Sequence, residues 1–317
     1  MDYNKLIADM IPGDSVEGFY VLKSVWQKIT AAGKPFLSAV IEDKSGAMEM
    51  KVWDYSGPIS GADAGKVIKL RGDVSEYRGT VQISANRIRL ADGRDHYDVS
   101  SLLPVAPIDV DATYRYVEET IASISDLPYR EVCEVMLEKK SEALRTIPAG
   151  KSVHHSFLGG LLMHTANMLR IADFLSGLYA DVIDRSLLLA GTFLHDLAKD
   201  EEFTFSELGS VTDYSVKGQL IGHLVMGAEE IAETCRSLGV DEERSVLLQH
   251  MILSHHGEPE YGAAVRPLCA EAELLSYIDG IDSRMEIYSE ATSGLSDGEF
   301  SAKVFALDKK VFRHSMT

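Results

Sequence analysis

The sequence is poor in cysteine, and its three, Cys133, Cys235 and Cys269, are widely spaced with no Cys-x-x-Cys pair. That argues against a disulfide framework and a thiolate zinc site, and it fits a reducing compartment. No apolar run approaches the roughly 20 residues needed to cross a bilayer. Met1-Asp2-Tyr3-Asn4-Lys5 lacks the basic start and apolar core of a secretory signal. A cytoplasmic chain with no membrane partner is the expectation. Positive charge is also scarce, with 31 Lys and Arg against 49 Asp and Glu and a formal net charge of −18. Such a surplus repels polyanions in general. Between Ser15 and Arg94, however, 12 basic residues face 9 acidic ones. The acidity therefore belongs to the rest of the chain. There is no internal repeat and no low-complexity tract.

What is present divides by period. From about Val16 to Leu90 the pattern is that of strands: Phe19–Val25, Phe36–Ile41, Ala47–Trp53, Val67–Arg71 with Val74–Tyr77 after it, and Thr80–Leu90, with Glu42-Asp43-Lys44-Ser45-Gly46 and Arg78-Gly79 as turns. In the last strand Val81, Ile83 and Ala85 alternate with polar residues, then the phase slips near Asn86, as a bulge causes. Five short strands predict a small closed barrel of the oligonucleotide-binding type. From Asp111 onward the period is helical, with Tyr114, Val117, Ile121 and Ile124 as the first stripe. Further helices are expected over Leu161–Leu178, Arg185–Lys199, Gly218–Leu238, Glu243–His256 and Leu268–Tyr288. The expected class is therefore a multidomain α and β chain. It divides into a barrel over 1–95, a connector over 96–128, an all-α domain over 129–292 and a C-terminal tail over 293–317.

Eight of the ten histidines fall between positions 154 and 256. A single histidine on an amphipathic helix is most often a satisfied core or surface side chain. A cluster set in apolar surroundings is harder to explain that way. His195-Asp196 ends the almost wholly apolar run Leu187–Leu194, where two polar groups are costly to bury unpaired. His164 follows Leu161-Leu162-Met163, and His223 follows Ile221-Gly222. His255-His256 precede Gly257, and Asp279 lies between Tyr277-Ile278 and Gly280-Ile281. Imidazole and carboxylate together suit borderline divalent metals such as Mn, Fe, Co, Ni or Zn. Lys199 shares a helix face with His195 and could hold a substrate phosphate. His250 is rotated about 140° from His255 on a helix, which sets it apart from the ligands.

The order His164, His195-Asp196, Asp279 resembles the signature of the HD superfamily of metal-dependent phosphohydrolases. The block Ser152-Val153-His154-His155-Ser156-Phe157-Leu158-Gly159-Gly160-Leu161-Leu162-Met163-His164-Thr165 is similar to the lead-in to that family's first ligand. Leu253-Ser254-His255-His256-Gly257-Glu258-Pro259-Glu260-Tyr261-Gly262 is similar to a second family block. With a barrel in front, nearly the whole chain resembles the YhaM-type 3′-to-5′ exoribonucleases. The stretch Glu258–Gly262 departs from the Gly-Tyr-Pro of the HD-GYP cyclic-dinucleotide phosphodiesterases, which disfavours that activity. Gly160 stands where some members of that branch carry a liganding Glu, which disfavours a third metal.

The resemblance implies two divalent ions per site, Mn²⁺ first among them. His164, His195, Asp196, His223, His255 and Asp279 are the expected ligands, with His256 as the second choice for His255. Asp196 would bridge the ions and Lys199 would meet the phosphate; these two are the catalytic pair. His154 and His155 are expected at the substrate phosphate. On the barrel Phe36, Trp53, Tyr77 and Arg71, with Lys51, Lys69 and Arg78, are the candidates for gripping a single strand. The implied activity is hydrolysis of single-stranded RNA, or of single-stranded DNA, to nucleoside 5′-monophosphates. Two readings stand beside it: a nucleotide phosphohydrolase or cyclic-nucleotide phosphodiesterase, and a non-catalytic RNA-binding protein. An acidic domain that grips a polyanion implies either metals that supply the positive charge or a homo-oligomer with a shared channel.

Overall fold

A computed structural model describes residues 2–151 and 155–315 of the chain. The chain forms two compact units. The first runs up to Val105 and includes Phe205–Thr212, and the second comprises Ala106–Thr204 and the residues from Asp213 onward.

The first unit is a barrel. The two-residue strand β1 (Asp2–Tyr3) pairs in parallel with β2 (Ser15–Ile29), which is followed by β3 (Pro35–Asp43), β4 (Gly46–Trp53), β5 (Val67–Tyr77) and β6 (Thr80–Leu90). The order β2-β3-β4-β6-β5 closes on itself through an antiparallel β2–β5 pairing, with β4–β6 the one parallel junction in the ring. Closure leaves no exposed edge. Alternation fixes the inward face: Leu37, Ala39 and Ile41 on β3 and Met48, Met50 and Val52 on β4 meet Ile68, Leu70 and Ile83 in one core. The β5–β6 hairpin turns through Arg78 and Gly79, both at positive φ, so that its twist matches the strands. Arg71 pairs with Arg87 and Gly72 with Ala85, which leaves Asn86 as the bulged residue. The phase slip in the sequence is this bulge. The closed five-stranded barrel is the oligonucleotide-binding fold expected from the strand pattern.

Beyond the short helix α1 (Val99–Leu102), the second unit is helical: α2 (Val110–Ala122), α3 (Leu127–Thr146), α4 (Gly160–Leu178), α5 (Arg185–Leu194), α6 (Lys199–Glu202), α7 (Val216–Leu220), α8 (His223–Leu238), α9 (Glu242–Ser254) and α10 (Ala270–Thr292). The strands β7 (Phe203–Phe205) and β8 (Val211–Tyr214) form a hairpin between α6 and α7. Five helices start where an aspartate carboxylate accepts a backbone N–H: Asp98 for α1, Asp109 for α2, Asp126 for α3, Asp184 for α5 and Asp241 for α9. Helix α2 lies within the stretch expected as a connector, and it buries Tyr114, Val117 and Ile121 against α3 and α4. Helix α5 is buried from Ser186 to Leu194, so it runs through the core and delivers His195 and Asp196 into the interior.

Two expected helices are broken. Arg185–Lys199 stops at Leu194, and the chain turns through His195–Ala198 before α6. Gly218–Leu238 breaks at Gly222, whose φ of +79° no helix accommodates, and restarts at His223. Both breaks put polar ligand-type residues at helix ends, where side chains leave the helical period. No helix among the described residues is long and apolar enough to cross a membrane.

Candidate metal centre

Helices α4, α5, α9 and α10 pack on one another, and α8 lies against α9. Their ends and inner faces bring the predicted residues together. His164 comes from the first turns of α4, His195 caps α5, Asp196 comes directly after it, His223 opens α8, His255 caps α9 and Asp279 sits within α10. His164, His195, Asp196 and His255 are at most 3% exposed, and His223 is 7% exposed. His250 is elsewhere: its Nε2 accepts the Leu268 backbone N–H at 2.9 Å.

Four of these imidazoles are fixed in one tautomer. His195 Nδ1 donates to the Thr192 carbonyl at 2.8 Å, and His255 Nδ1 donates to the Ile252 carbonyl at 2.8 Å. A carbonyl only accepts, so each Nδ1 must carry the hydrogen. His164 Nδ1 donates to Asp282 Oδ2 at 2.7 Å, and His223 Nδ1 donates to Glu202 Oε1 at 2.8 Å. Every Nε2 is thereby left to offer a lone pair, and all four point at Asp196. Asp196 Oδ2 is 3.2 Å from His195 Nε2 and 3.7 Å from His164 Nε2. Asp196 Oδ1 is 3.4 Å from His223 Nε2 and 3.7 Å from His255 Nε2. One carboxylate thus faces two pairs of imidazoles, one with each oxygen. Asp279 Oδ1 joins the first pair, 3.5 Å from His164 Nε2.

The electrostatics suit a cation. The Nε2 atoms of His164 and His195 face each other at 3.3 Å. Two lone pairs at that distance repel unless a positive charge lies with them. Asp196 Oδ1, His223 Nε2, His255 Nε2 and His256 Nδ1 are buried with no hydrogen-bond partner among the described residues. Orphaned buried acceptors of this kind are costly. Burial opposes charge on His195, but the neighbouring Asp196 outweighs it and raises the imidazole above its ordinary value. Burial also opposes charge on Asp196, yet Lys199 and His195 hold its carboxyl well below the usual range. Burial, then His195 and His256, push His255 well below the ordinary imidazole value and keep it a neutral donor. His164, His195 and Asp196 bring one ligand atom each within 4.8 Å of one another, and so do His223, His255 and His256. The donor chemistry fits two divalent ions that share Asp196. His256 joins the second set beside His255, with ring centroids 4.4 Å apart.

Lys199 Nζ lies 2.7 Å from Asp196 Oδ2, and both residues line a cleft of about 580 Å³ with His255, His256, Asp279 and Arg284. His155, expected at the substrate, is fully buried, so it has no surface to offer one. Its Nε2 is 3.4 Å from Asp282 Oδ2 and its ring is 5.2 Å from that of His164. His154 lies outside the described residues. Two carboxylates were missed from the sequence, Asp282 and Glu202. Asp282 sits three residues after Asp279, a spacing that does put both on one helix face. Glu202 carries no comparable signal.

On the barrel, Phe36 stacks on Trp53 with centroids 5.2 Å apart, and Trp53 is 54% exposed. Trp53 therefore stands outside the core. It lines a groove of about 660 Å³ with Tyr55, Lys69, Arg71, Arg87 and Arg89. Tyr77 lies apart at the hairpin end with Arg78 over its ring at 5.2 Å. Lys51 is held by Ser38 and Glu49. Lys69 pairs across strands with Arg89, and Arg71 with Arg87. Cations placed directly opposite one another repel. Lys69 is offset by Glu17 at 3.4 Å and Arg89 by Asp95 at 2.6 Å, whereas Arg71 and Arg87 have no ion-pair partner among the described residues.

An HD domain family model matches residues 161–284. A curated relative described as 3′-5′ exoribonuclease YhaM, from Geobacillus sp. (strain WCH70), is 35% identical over 302 residues, covering 95% of this chain and 92% of its own. Among solved structures, a domain of replication protein A from Methanococcus maripaludis matches at 16% identity with a TM-score of 0.25, over 29% of this chain and 97% of that one. The OB domain of Ta0387 from Thermoplasma acidophilum matches at 13% identity with a TM-score of 0.25, over 31% and 92%.

Proposed function

The chain belongs to the YhaM family of HD-domain 3′-5′ exoribonucleases, and we propose that it removes nucleotides from the 3′ end of single-stranded RNA with two Mn²⁺ ions shared by Asp196. The observation that carries this is the convergence of four Nε2 lone pairs, fixed by their Nδ1 partners, on the two oxygens of one buried carboxylate. His164, His195 and Asp279 would hold one ion on the Oδ2 side of Asp196, and His223 and His255, with His256 beside them, the other. Bound divalent ions supply Lewis acidity and a hydroxide at neutral pH.

The chain's own residues do the rest. Burial disfavours the charged Lys199, but Asp196 beside it keeps the ammonium protonated, so a cation stands at the cleft wall where phosphoryl charge develops. Asp282 and Glu202 lock the ring orientation of His164 and His223. On the barrel, Trp53 offers a stacking face, and Arg71 and Arg87 offer phosphate contacts that read no particular base.

Digestion of 5′-labelled single-stranded RNA with Mn²⁺ tests the reading. A ladder that shortens from the 3′ end and releases 5′-monophosphates is expected. RNA left intact while free nucleotides or cyclic nucleotides are hydrolysed would overturn it.

A further inference from the structure

The C-terminal segment after α10 folds back as a small arch. Ser301 donates its N–H to the Val311 carbonyl at 2.8 Å, Val304 donates to Lys309 at 2.9 Å, and Arg313 Nη1 donates to the Thr292 carbonyl at 2.7 Å. Ser301 and Val311, which close its base, are buried. The arch is therefore anchored at its base, and its tip is the short turn Phe305–Leu307. Ala306 in that turn lines the same cleft as Asp196, Lys199 and His255. Its neighbour Phe305 is 97% exposed. Tyr261 and Tyr277 line the cleft as well, 77% and 60% exposed, with Arg284 among them.

A nuclease that cuts at a chain end must hold the nucleotides on either side of the scissile phosphate. Their phosphates sit with the cations, so their bases project outward along the cleft walls. Aromatic faces stack on any base, which suits an activity that moves through sequence without pause. We propose that Phe305, with Tyr261 and Tyr277, forms the base-stacking subsite for the 3′-terminal nucleotides of a single strand, and that the C-terminal arch is a wall of the substrate cleft. Lys303 pairs with Asp308 in the arch and Lys309 lies over the Tyr288 ring, which leaves Lys310 as the further basic residue beside the tip. This assignment rests on the exonuclease reading and adds to it the residues that grip the end.

The test compares two substrates of the full-length protein with Mn²⁺: a tetraribonucleotide and its abasic analogue, which keeps the phosphodiesters and offers no planar ring. Phe305→Ala should raise KM for the tetranucleotide about 5- to 150-fold and leave KM for the abasic analogue, which has no base to stack, near the parent value. Phe305→Trp should keep KM near the parent value, and Phe305→Leu should behave like Phe305→Ala, because the planar face is what counts. At 97% exposure the side chain is no part of the core, so these variants fold. A KM within twofold of the parent for Phe305→Ala, or equal losses on both substrates, overturns the subsite. A parent protein that hydrolyses free or cyclic nucleotides and leaves the tetranucleotide intact overturns the exonuclease reading instead.

Discussion

Glu202 and His223, 21 residues apart, are joined by one carboxylate oxygen: Glu202 Oε1 accepts both the His223 backbone N–H at 3.1 Å and its Nδ1–H at 2.8 Å. The double contact fixes where α8 begins and which way its first side chain points. Glu202 is itself buried, and although burial opposes its charge, the hydrogen bond from His223 keeps it ionised. Replacing it by Gln keeps the shape but weakens the pull on Nδ1–H. Glu202→Gln should loosen Mn²⁺ binding about 10- to 100-fold, read by titration calorimetry on the metal-free protein. Unchanged affinity would show that the contact is structural only.

Asp196 faces both pairs of imidazoles, one with each oxygen. Asp196→Asn should lower the bound metal measured by elemental analysis and abolish nuclease activity. Binding of single-stranded RNA, followed by fluorescence anisotropy, should be retained, because the basic groove lies on the barrel. Loss of RNA binding together with metal would place the main grip at the metal centre.

The barrel was legible because strand alternation and turn chemistry are local signals. Even the bulge at Asn86 showed as a phase slip in Val81, Ile83, Ala85, Ile88. The ligand-type residues were legible as polar groups in apolar runs, since burying them unpaired is so costly. The supports were not. Glu202 looks like one more acidic residue in Lys199-Asp200-Glu201-Glu202, and only the helix break at Gly222 brings His223 onto it. Arg87 and Arg89 gain meaning from β5, which sets Arg71 and Lys69 opposite them. His155 was expected at the substrate phosphate because nothing in its neighbours signals that the chain turns inward there. Its φ of +49° is such a turn.

That turn also explains Gly160. A Cβ at position 160 would lie 2.1 Å from the His155 carbonyl oxygen, so the close approach of the two backbones requires glycine. Gly to Ala near a helix start normally stabilises by about 0.5 to 1 kcal/mol. Here Gly160→Ala should instead destabilise by about 1 to 3 kcal/mol, because the His155 loop must move. It should also weaken Mn²⁺ binding through the Asp282 contact that His155 shares with His164. Denaturant unfolding checks the first effect and calorimetry the second.

Asp126 gives a pH signature away from the metals. It caps α3 and pairs with Arg244, whose Nη2 is 2.8 Å from Asp126 Oδ2. The Arg244 hydrogen bond holds the Asp126 carboxyl below its ordinary 3.8. A lowered carboxyl contributes stability that is complete above its unfolded value and is lost as pH falls through its folded one. Asp126→Asn keeps the cap and removes the ion pair. It should cost about 0.5 to 1 kcal/mol near neutrality, a small figure because Arg244 is partly exposed. Thermal scans should show the gap between variant and parent closing as the pH drops below that value. A gap that persists in acid would mean the cap, not the charge, was lost.

Salt dependence tests the barrel groove. If Arg71 and Arg87 each neutralise one RNA phosphate, binding falls with salt along a slope of about 0.7 per contact for a single strand. Arg71→Gln and Arg87→Gln should each lower that slope by about 0.7 and weaken binding at low salt. The effect should be the same on oligonucleotides of any sequence, since phosphate contacts position a strand without reading it. Both side chains line the groove on the barrel's outer surface, away from its core, so folding is not at stake. Trp53→Ala should weaken binding without changing the slope, because stacking releases no counterions. An equal change of slope for Trp53→Ala and Arg71→Gln would mean that the groove as a whole had been disturbed, and that the division of labour between its aromatic and basic residues does not hold.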